Sequence, residues 1–395
     1  MNIKSMVSKN AYLYEMVAKI GYRSENAYVS SLIKDAGSID SIKDYHDFMR
    51  IIVDYKKNKD DHFVYMIRSY FADSRMYGHL EALYRYAKVN KPVNYYAFSM
   101  VEHGTFVPTN GIDKKLLDLH SNILLMGSYK SANIHRVNPY KPVFVVGPYI
   151  HYAEPVYQKS RIEELKNTFG KTLLVFPNHT YEGCGSEQND AAFVEYVMKR
   201  IAKDYDTVLV SVYWNDVEKN VFHMFEQAGA KLVSSGFRGD VNFIRRLKTL
   251  FILADGVCSN SFGTHVGYSI FEGKRFKYFE SNVCLINQGI DVDNSELREG
   301  DDLRNWVRLC FENNESGFLP QEQYSRYESM WGGKNAIKSE ENMKDILLIG
   351  ETIIKRSKGF TRTFDKIVRD LLKDGTLGEN QLRLLHDALG DQTGR

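Results

Sequence analysis

The stretch that decides the fold is VCSNSFGTHVGYSIFEGK, residues 257–274. An apolar run ends in Ser-Asn-Ser, a Gly-Thr-His step follows, and an amphipathic segment continues to Gly273, where a helix C-terminal glycine belongs. This order predicts a strand, a short turn and a helix, the unit from which parallel α/β sheets are built. An exposed helix start offers free N–H groups and the positive end of a dipole, which together favour an anion.

Several polar residues crowd that helix start. Ordinary helix capping is the alternative explanation, but a cap needs only one hydroxyl. The crowding therefore favours a phosphate site. The residues predicted to line it are Ser259, Asn260, Ser261, Thr264 and His265.

Short β-rich runs alternate with helical spacers on both sides of the deciding stretch, which predicts parallel strands with crossover helices. The predicted strands lie at residues 92–100, 122–128, 142–149, 171–178, 206–214, 230–236, 256–260 and 276–281. They divide into two doubly wound α/β domains. The first predicted domain covers residues 1–155 and is helical up to about residue 90 and then α/β. The second covers residues 156–345 and is the clearer α/β domain. Residues 346–395 are predicted to form the C-terminal helices.

The bulk composition is that of a globular protein, with 43% hydrophobic and 26% charged residues among 395. A formal net charge of +2 argues against a dedicated nucleic-acid binder. The four cysteines show no zinc-site spacing, and no apolar run approaches the roughly 20 residues of a membrane span. We therefore expect a cytosolic protein, and a peripheral contact with the inner face of the membrane stays open.

Three further strand ends carry candidate residues, because ligands of open α/β sheets lie beyond the carboxyl ends of strands. Glu102 and His103 end one strand, and either is predicted to act as a general base. The other interpretation is a strand-end histidine that is hydrogen-bonded into a loop. His179 and Glu182 follow the strand predicted at residues 171–178. His179 is predicted to donate to a phosphate or ribose, and Glu182 to accept from ribose hydroxyls. Ordinary turn residues are the alternative interpretation.

The third strand end belongs to GFRGDVNFIRRLK, where Arg238 is predicted to hold an oxyanion and Asp240 to cap the next helix. Arg245, Arg246 and Lys248 are expected on a solvated helix face. Asp291 and Asp293 form an Asp-x-Asp pattern, but a hard cation needs more converging oxygens than this pattern supplies. No metal site and no cofactor are therefore predicted.

Taken together, VEHG, MGSYKSANI, VVGPY, LLVFPNH and SNSFGTHVGYSIFEGK resemble the bacterial surface-polysaccharide transferases of the GT-B fold. These include the CDP-glycerol glycerophosphotransferase-like and polysialyltransferase-like groups, and the likeness covers roughly residues 91–280. Two positions depart from the pattern: His179-Thr180 stands where families that use CMP-activated acidic sugars often have His-Pro, and Gly273-Lys274-Arg275 stands where Gly-Lys-Pro is usual.

The resemblance implies two Rossmann-like domains that face each other across a cleft. It places His103 on the side of a glycan or lipid-linked glycan acceptor. It places Ser259, Ser261, Thr264 and His265 on the phosphate of a nucleotide-sugar donor, with a CMP-linked acidic sugar slightly favoured. The implied enzyme is an inverting, metal-independent glycosyltransferase of capsule or lipopolysaccharide biosynthesis. A polyol-phosphate transferase, a sugar-nucleotide epimerase and a non-enzymatic scaffold protein remain the alternatives.

Overall fold

The computed structural model of the protein describes residues 34–37, 39–57, 76–93, 98–102, 122–179, 184–187, 189–237, 239–281, 284–287, 294–357 and 364–390. Among these residues, no helix combines the length and the apolar character that crossing a bilayer requires. The predicted sites at His103, Glu182, Arg238, Asp291 and Asp293 lie outside the described residues.

The helices of the described residues alternate with the strands through the middle of the chain and follow one another without strands near its end. They are α1 (Tyr45–Lys57), α2 (His79–Tyr86), α3 (Ser131–Val137), α4 (Lys159–Phe169), α5 (Asp190–Glu195), α6 (Asn220–Gln227), α7 (Phe243–Leu253), α8 (Thr264–Phe271), α9 (Asn294–Phe311), α10 (Tyr324–Trp331), α11 (Glu340–Ser357), α12 (Phe364–Leu371) and α13 (Glu379–Asp387).

The first sheet is parallel and has the strand order β1-β2-β3. Its strands are β1 (Phe98–Val101), β2 (Asn122–Leu125) and β3 (Val143–Val145). Successive residues of β2 enter different cores: Leu124 joins the main core, while Ile123 and Leu125 pack in a small cluster with Ile134 of α3. This two-residue alternation is what a strand covered on both faces requires.

The second sheet is also parallel and has the order β7-β6-β4-β8-β9. Its strands are β4 (Thr172–Phe176), β6 (Thr207–Ser211), β7 (Lys231–Val233), β8 (Gly256–Ser259) and β9 (Arg275–Tyr278). Both faces are buried, since Leu174 lies in the main core while Leu173 and Val175 lie in a second core. A parallel sheet buried in this way accounts for its nearly continuous apolar strands.

The α/β prediction is confirmed, and every predicted strand lies at its expected place in the chain. The sequence reading missed two further strands, β5 (Cys184–Glu187) and β10 (Cys284–Asn287), which pair antiparallel outside the two main sheets. Cys-Gly-Ser-Glu has neither the apolar alternation nor the β-branched residues that mark a strand. Pairing with a distant partner therefore sets this element.

Helix α1 packs on the second sheet, more than 100 residues further along the chain. Its buried residues Tyr45, Phe48, Met49 and Ile52 follow the helical spacing and belong to the same core as Val175. At the other end of the chain, the Val143 amide of β3 donates to the carbonyl of Ala388, just after α13, at 2.8 Å. Helix α1 and the segment after α13 therefore each contact a sheet that is distant from them in sequence.

Candidate functional site

The strand order of the second sheet reverses between β4 and β8. Counted along the chain, its strands stand in the spatial order 3-2-1-4-5, so the chain leaves β4 to one side and returns to β8 on the other. In open α/β sheets, such a reversal creates a crevice at the carboxyl ends of the two strands, and ligands bind there. The described part of the segment that follows β4 runs from Pro177 to His179, and the segment that follows β8 leads into α8.

Hydrogen bonds between side chain and backbone tie these two strand ends together. The Ser259 hydroxyl donates to the carbonyl of Phe176 at 2.8 Å, and the Asn178 amide donates to Asn260 Oδ1 at 2.7 Å. Asn260 Nδ2 in turn donates to the Ser281 hydroxyl at 3.0 Å. Ser259 and Asn260 are both fully enclosed. Their polar groups therefore hold the two strand ends together and are not exposed to a ligand.

Ser261 is likewise turned inward. Its amide donates to Ser259 Oγ at 3.0 Å, and the two hydroxyls lie 3.2 Å apart within the buried part of the loop. Gly263 and Thr264, by contrast, are partly exposed where α8 begins, and no side-chain hydrogen bond caps this helix within the described chain. Of the predicted phosphate ligands, Thr264 and the backbone around it are thus best placed to meet an anion.

His265 lies in the first turn of α8 and is held on two sides. Its ring stacks on Phe176, with centroids 5.0 Å apart and planes inclined by 28°, and its Nε2 lies 3.0 Å from Ser259 Oγ. Burial, together with the smaller effect of the neighbouring His179, lowers the pKa of His265 to about 3. The imidazole is therefore neutral near pH 7 and offers an anion no positive charge. Because the Ser259 hydroxyl donates to Phe176, the Nε2–H of His265 donates to Ser259 Oγ and Nδ1 is left as an acceptor.

His179 stacks on Tyr213, a residue that the sequence reading left without a role. The two ring centroids are 4.4 Å apart and the planes are inclined by 29°. Tyr213 lies two residues after β6, so the pair joins the ends of two neighbouring strands. The sequence prediction placed Tyr213 inside a strand at residues 206–214, whereas the strand ends at Ser211 and leaves Tyr213 beyond its carboxyl end.

Glu102 directly follows β1 of the first sheet, and three hydrogen-bond donors surround its carboxylate. The carboxylate accepts from Lys130 Nζ at 2.7 Å, from the Tyr129 hydroxyl at 2.7 Å and from the Met126 amide at 2.9 Å. The Glu102 and Lys130 side chains are each only 1% exposed. These three donors occupy the carboxylate in an enclosed setting, and loss of either charge would leave the other buried without its partner. The geometry favours a structural role for Glu102.

Helix α8 also contacts the elements that surround the first sheet. Gly267 meets the indole of Trp331, and a Cβ atom at this glycine would lie 2.2 Å from Trp331 Nε1. The carboxylate of Glu102 contributes to raising the pKa of Tyr268, after the larger effect of burial. One helix therefore presents its start to the crevice of the second sheet and its middle to the end of the first.

Arg246 of α7 forms a buried ion pair with Asp240, which corrects the expectation that it lies on a solvated helix face. Arg246 Nη1 donates to Asp240 Oδ2 at 2.6 Å, and its guanidinium lies 4.8 Å from the ring centroid of Phe48 in α1. Lys248 pairs with Glu272 at 2.7 Å. Asp240 does not cap α7 directly; it accepts from the amide of Asn242, the residue at the N-cap position.

No family model matches the chain, and no curated protein matches it by sequence. The structure is similar to that of UDP-GlcNAc 2-epimerase from Neisseria meningitidis, solved bound to UDP-GlcNAc, with a TM-score of 0.32 and 12% sequence identity. The similarity covers 80% of this chain and 84% of that one. A likeness of this degree assigns neither an activity nor a ligand to this chain.

Proposed function

We propose that this protein is an inverting, metal-independent glycosyltransferase that moves a sugar from a nucleotide-activated donor to a glycan or lipid-linked glycan acceptor. The observation that carries the proposal is the reversal of strand order between β4 and β8, with the uncapped start of α8 beside it. A strand-order reversal binds ligands, and a helix start binds phosphate. Their coincidence supports a phosphorylated donor.

In the proposed reaction, a general base takes the proton from an acceptor hydroxyl. The hydroxyl oxygen attacks the anomeric carbon from the side opposite the nucleotide, and the bond from that carbon to the nucleotide oxygen breaks. The nucleotide leaves with the bonding electrons, and the amides at Thr264 stabilise its added negative charge. Because Glu102 is engaged by three donors, the role of base passes to His103 in this proposal.

The first test introduces a negative charge at the helix start through Thr264→Glu. An acidic residue in the first turn favours the helix dipole, so folding is expected to be retained. The same charge repels a phosphate, so the rise in Tm produced by CMP, UDP, CDP or GDP should disappear. Thr264→Gln is the matched control, with similar size and no charge, and it should keep most of that rise. An equal rise in Tm for the Glu and Gln variants would contradict the proposal.

The products identify the reaction once a nucleotide is found to bind. Transfer of a sugar residue to the acceptor, measured by mass, supports the proposal, while transfer of a polyol phosphate identifies the first alternative enzyme. A change in the sugar when the protein is incubated with donor alone identifies an epimerase. His103→Ala should abolish transfer while leaving the nucleotide-dependent rise in Tm intact, since it is proposed to act on the acceptor.

A further inference from the structure

We infer that the stacked pair of His179 and Tyr213 is the platform on which the nucleobase of the donor lies, an inference that rests on the proposed function. The rings are 4.4 Å apart and nearly parallel, and both residues are partly exposed. Base–aromatic stacking tolerates any base, because every base has a π-face. The ligand class is therefore a nucleotide, bound through its base as well as its phosphates.

The position of the pair supports this assignment. In the sheet, β8 neighbours β4 and β4 neighbours β6, so a spacing of about 4.8 Å between strands separates β8 from β6 by roughly 10 Å. The amide of Asn178, the residue before His179, donates to Asn260 Oδ1 at 2.7 Å, which ties His179 to the segment that leads into α8. A nucleotide with its phosphates at the start of α8 would thus extend its ribose across the end of β4 and its base towards Tyr213.

The ring of Tyr213 is held in place by its contacts with the second core. Trp214 is fully buried in the second core, and its ring contacts that of Tyr213 edge-on at a centroid distance of 5.8 Å. Tyr213 itself packs against the same core. A ring fixed in this way loses little conformational freedom when a base stacks on it, which is the condition for strong stacking.

This inference gives His179 a different role from that of a phosphate donor, and the two roles differ in measurable ways. A stacking residue contributes to the binding of a nucleotide but not to that of inorganic pyrophosphate. A phosphate donor contributes to both. Replacement by Phe also separates them, because Phe keeps an aromatic face and removes both ring nitrogens.

The experiment measures the affinities of CMP, UDP and inorganic pyrophosphate for the full chain by calorimetry. Tyr213→Leu and His179→Ala should each weaken the better-bound nucleotide by about 5- to 100-fold and change pyrophosphate affinity by less than about twofold. Tyr213→Phe and His179→Phe should keep nucleotide affinity close to that of the unmodified chain. Tyr324→Leu, at an exposed tyrosine of α10, is the matched control and should change neither affinity.

The possible outcomes separate this inference from the proposed function. If Tyr213→Leu and His179→Ala leave nucleotide binding unchanged, or weaken nucleotide and pyrophosphate equally, the platform is wrong while the anion site stands. If the unmodified chain binds neither nucleotide nor pyrophosphate, the proposed function fails and the platform with it. Loss of nucleotide binding in Tyr213→Phe, whose ring is retained, would also overturn the stacking role.

Discussion

The backbone amide of Asn178 donates to Asn260 Oδ1 at 2.7 Å, so a single side chain joins the ends of β4 and β8 where the strand order reverses. Asn260→Ala should destabilise the fold by about 1–3 kcal/mol, because it leaves a buried amide without its acceptor. Urea unfolding followed by circular dichroism measures this loss. Both strand ends are enclosed here, so water cannot replace the missing partner without opening the crevice.

Asn313→Ala provides the comparison for that variant, since Asn313 is exposed. It should shift the free energy of unfolding by less than about 0.5 kcal/mol. Equal effects of the two substitutions would show that Asn260 does not hold the strand ends together.

The free energy of unfolding should depend on pH because His265 binds a proton more readily in the unfolded chain than in the folded protein. In the unfolded chain this group binds a proton near its usual pKa of 6.5, whereas in the folded protein it does so only near 3. Between these values the unfolded state holds more protons, so the free energy of unfolding falls as the pH falls. From pH 7 to pH 5, the unmodified protein should lose about 2 kcal/mol more than His265→Gln.

Chemical denaturation of both proteins at several pH values between 4 and 8 tests this expectation. His135 and His151 also have lowered pKa values because of burial, but they are present in both proteins and cancel in the difference. Parallel stability curves for the two proteins would rule out a neutral, buried imidazole at position 265.

The buried ion pair of Glu102 and Lys130 should show strong coupling in a double-mutant cycle. Either Glu102→Gln or Lys130→Met alone leaves one enclosed charge without its partner and should cost about 3–5 kcal/mol. The double variant should cost clearly less than the sum, because no unpaired charge remains. Urea titrations of the unmodified protein, the two single variants and the double variant give the four free energies of unfolding that the cycle needs.

Lys199 and Glu195 offer a matched exposed pair, 3.1 Å apart with side chains 74% and 63% exposed. Its coupling energy should be only about 0.3–0.5 kcal/mol. Additive costs at Glu102 and Lys130 would mean that the carboxylate does not depend on the ammonium, and would restore Glu102 as a candidate base.

The strands of the two main sheets were predictable because each is an apolar run that ends at Gly, Pro or a polar cluster, whereas β5 and β10 were missed. The helix of residues 264–271 was predictable from its amphipathic spacing and from Gly273. The burial of Ser259 and Ser261 was not, because a hydroxyl at a strand end looks the same in sequence whether it faces a ligand or a backbone carbonyl. Local pattern identifies elements and their ends, but not the direction in which a polar side chain points.

Contacts between distant segments were equally hidden from the sequence. The spacing of Tyr45, Phe48 and Ile52 predicts an amphipathic helix, yet nothing in that spacing indicates which of two sheets will cover its apolar face. Likewise, Arg246 has the sequence surroundings of a solvated basic helix, and only the fold brings the ring of Phe48 over its guanidinium. Such pairings depend on topology, which periodicity does not encode.

The packing of α8 on α10 gives a last prediction, at Gly267. A Cβ atom there would lie 2.2 Å from Trp331 Nε1, so Gly267→Ala should cost about 1–3 kcal/mol through overpacking, even though alanine favours a helix. The new atom would also lie 2.3 and 2.4 Å from Trp331 Cδ1 and Cε2, so in a Trp331→Leu background, which lacks all three indole atoms, the cost should fall by at least half. Gly37→Ala, where the new methyl group meets nothing within 4 Å, should be near neutral. If the cost at Gly267 is the same in both backgrounds, Trp331 is not what excludes a side chain from this face of α8.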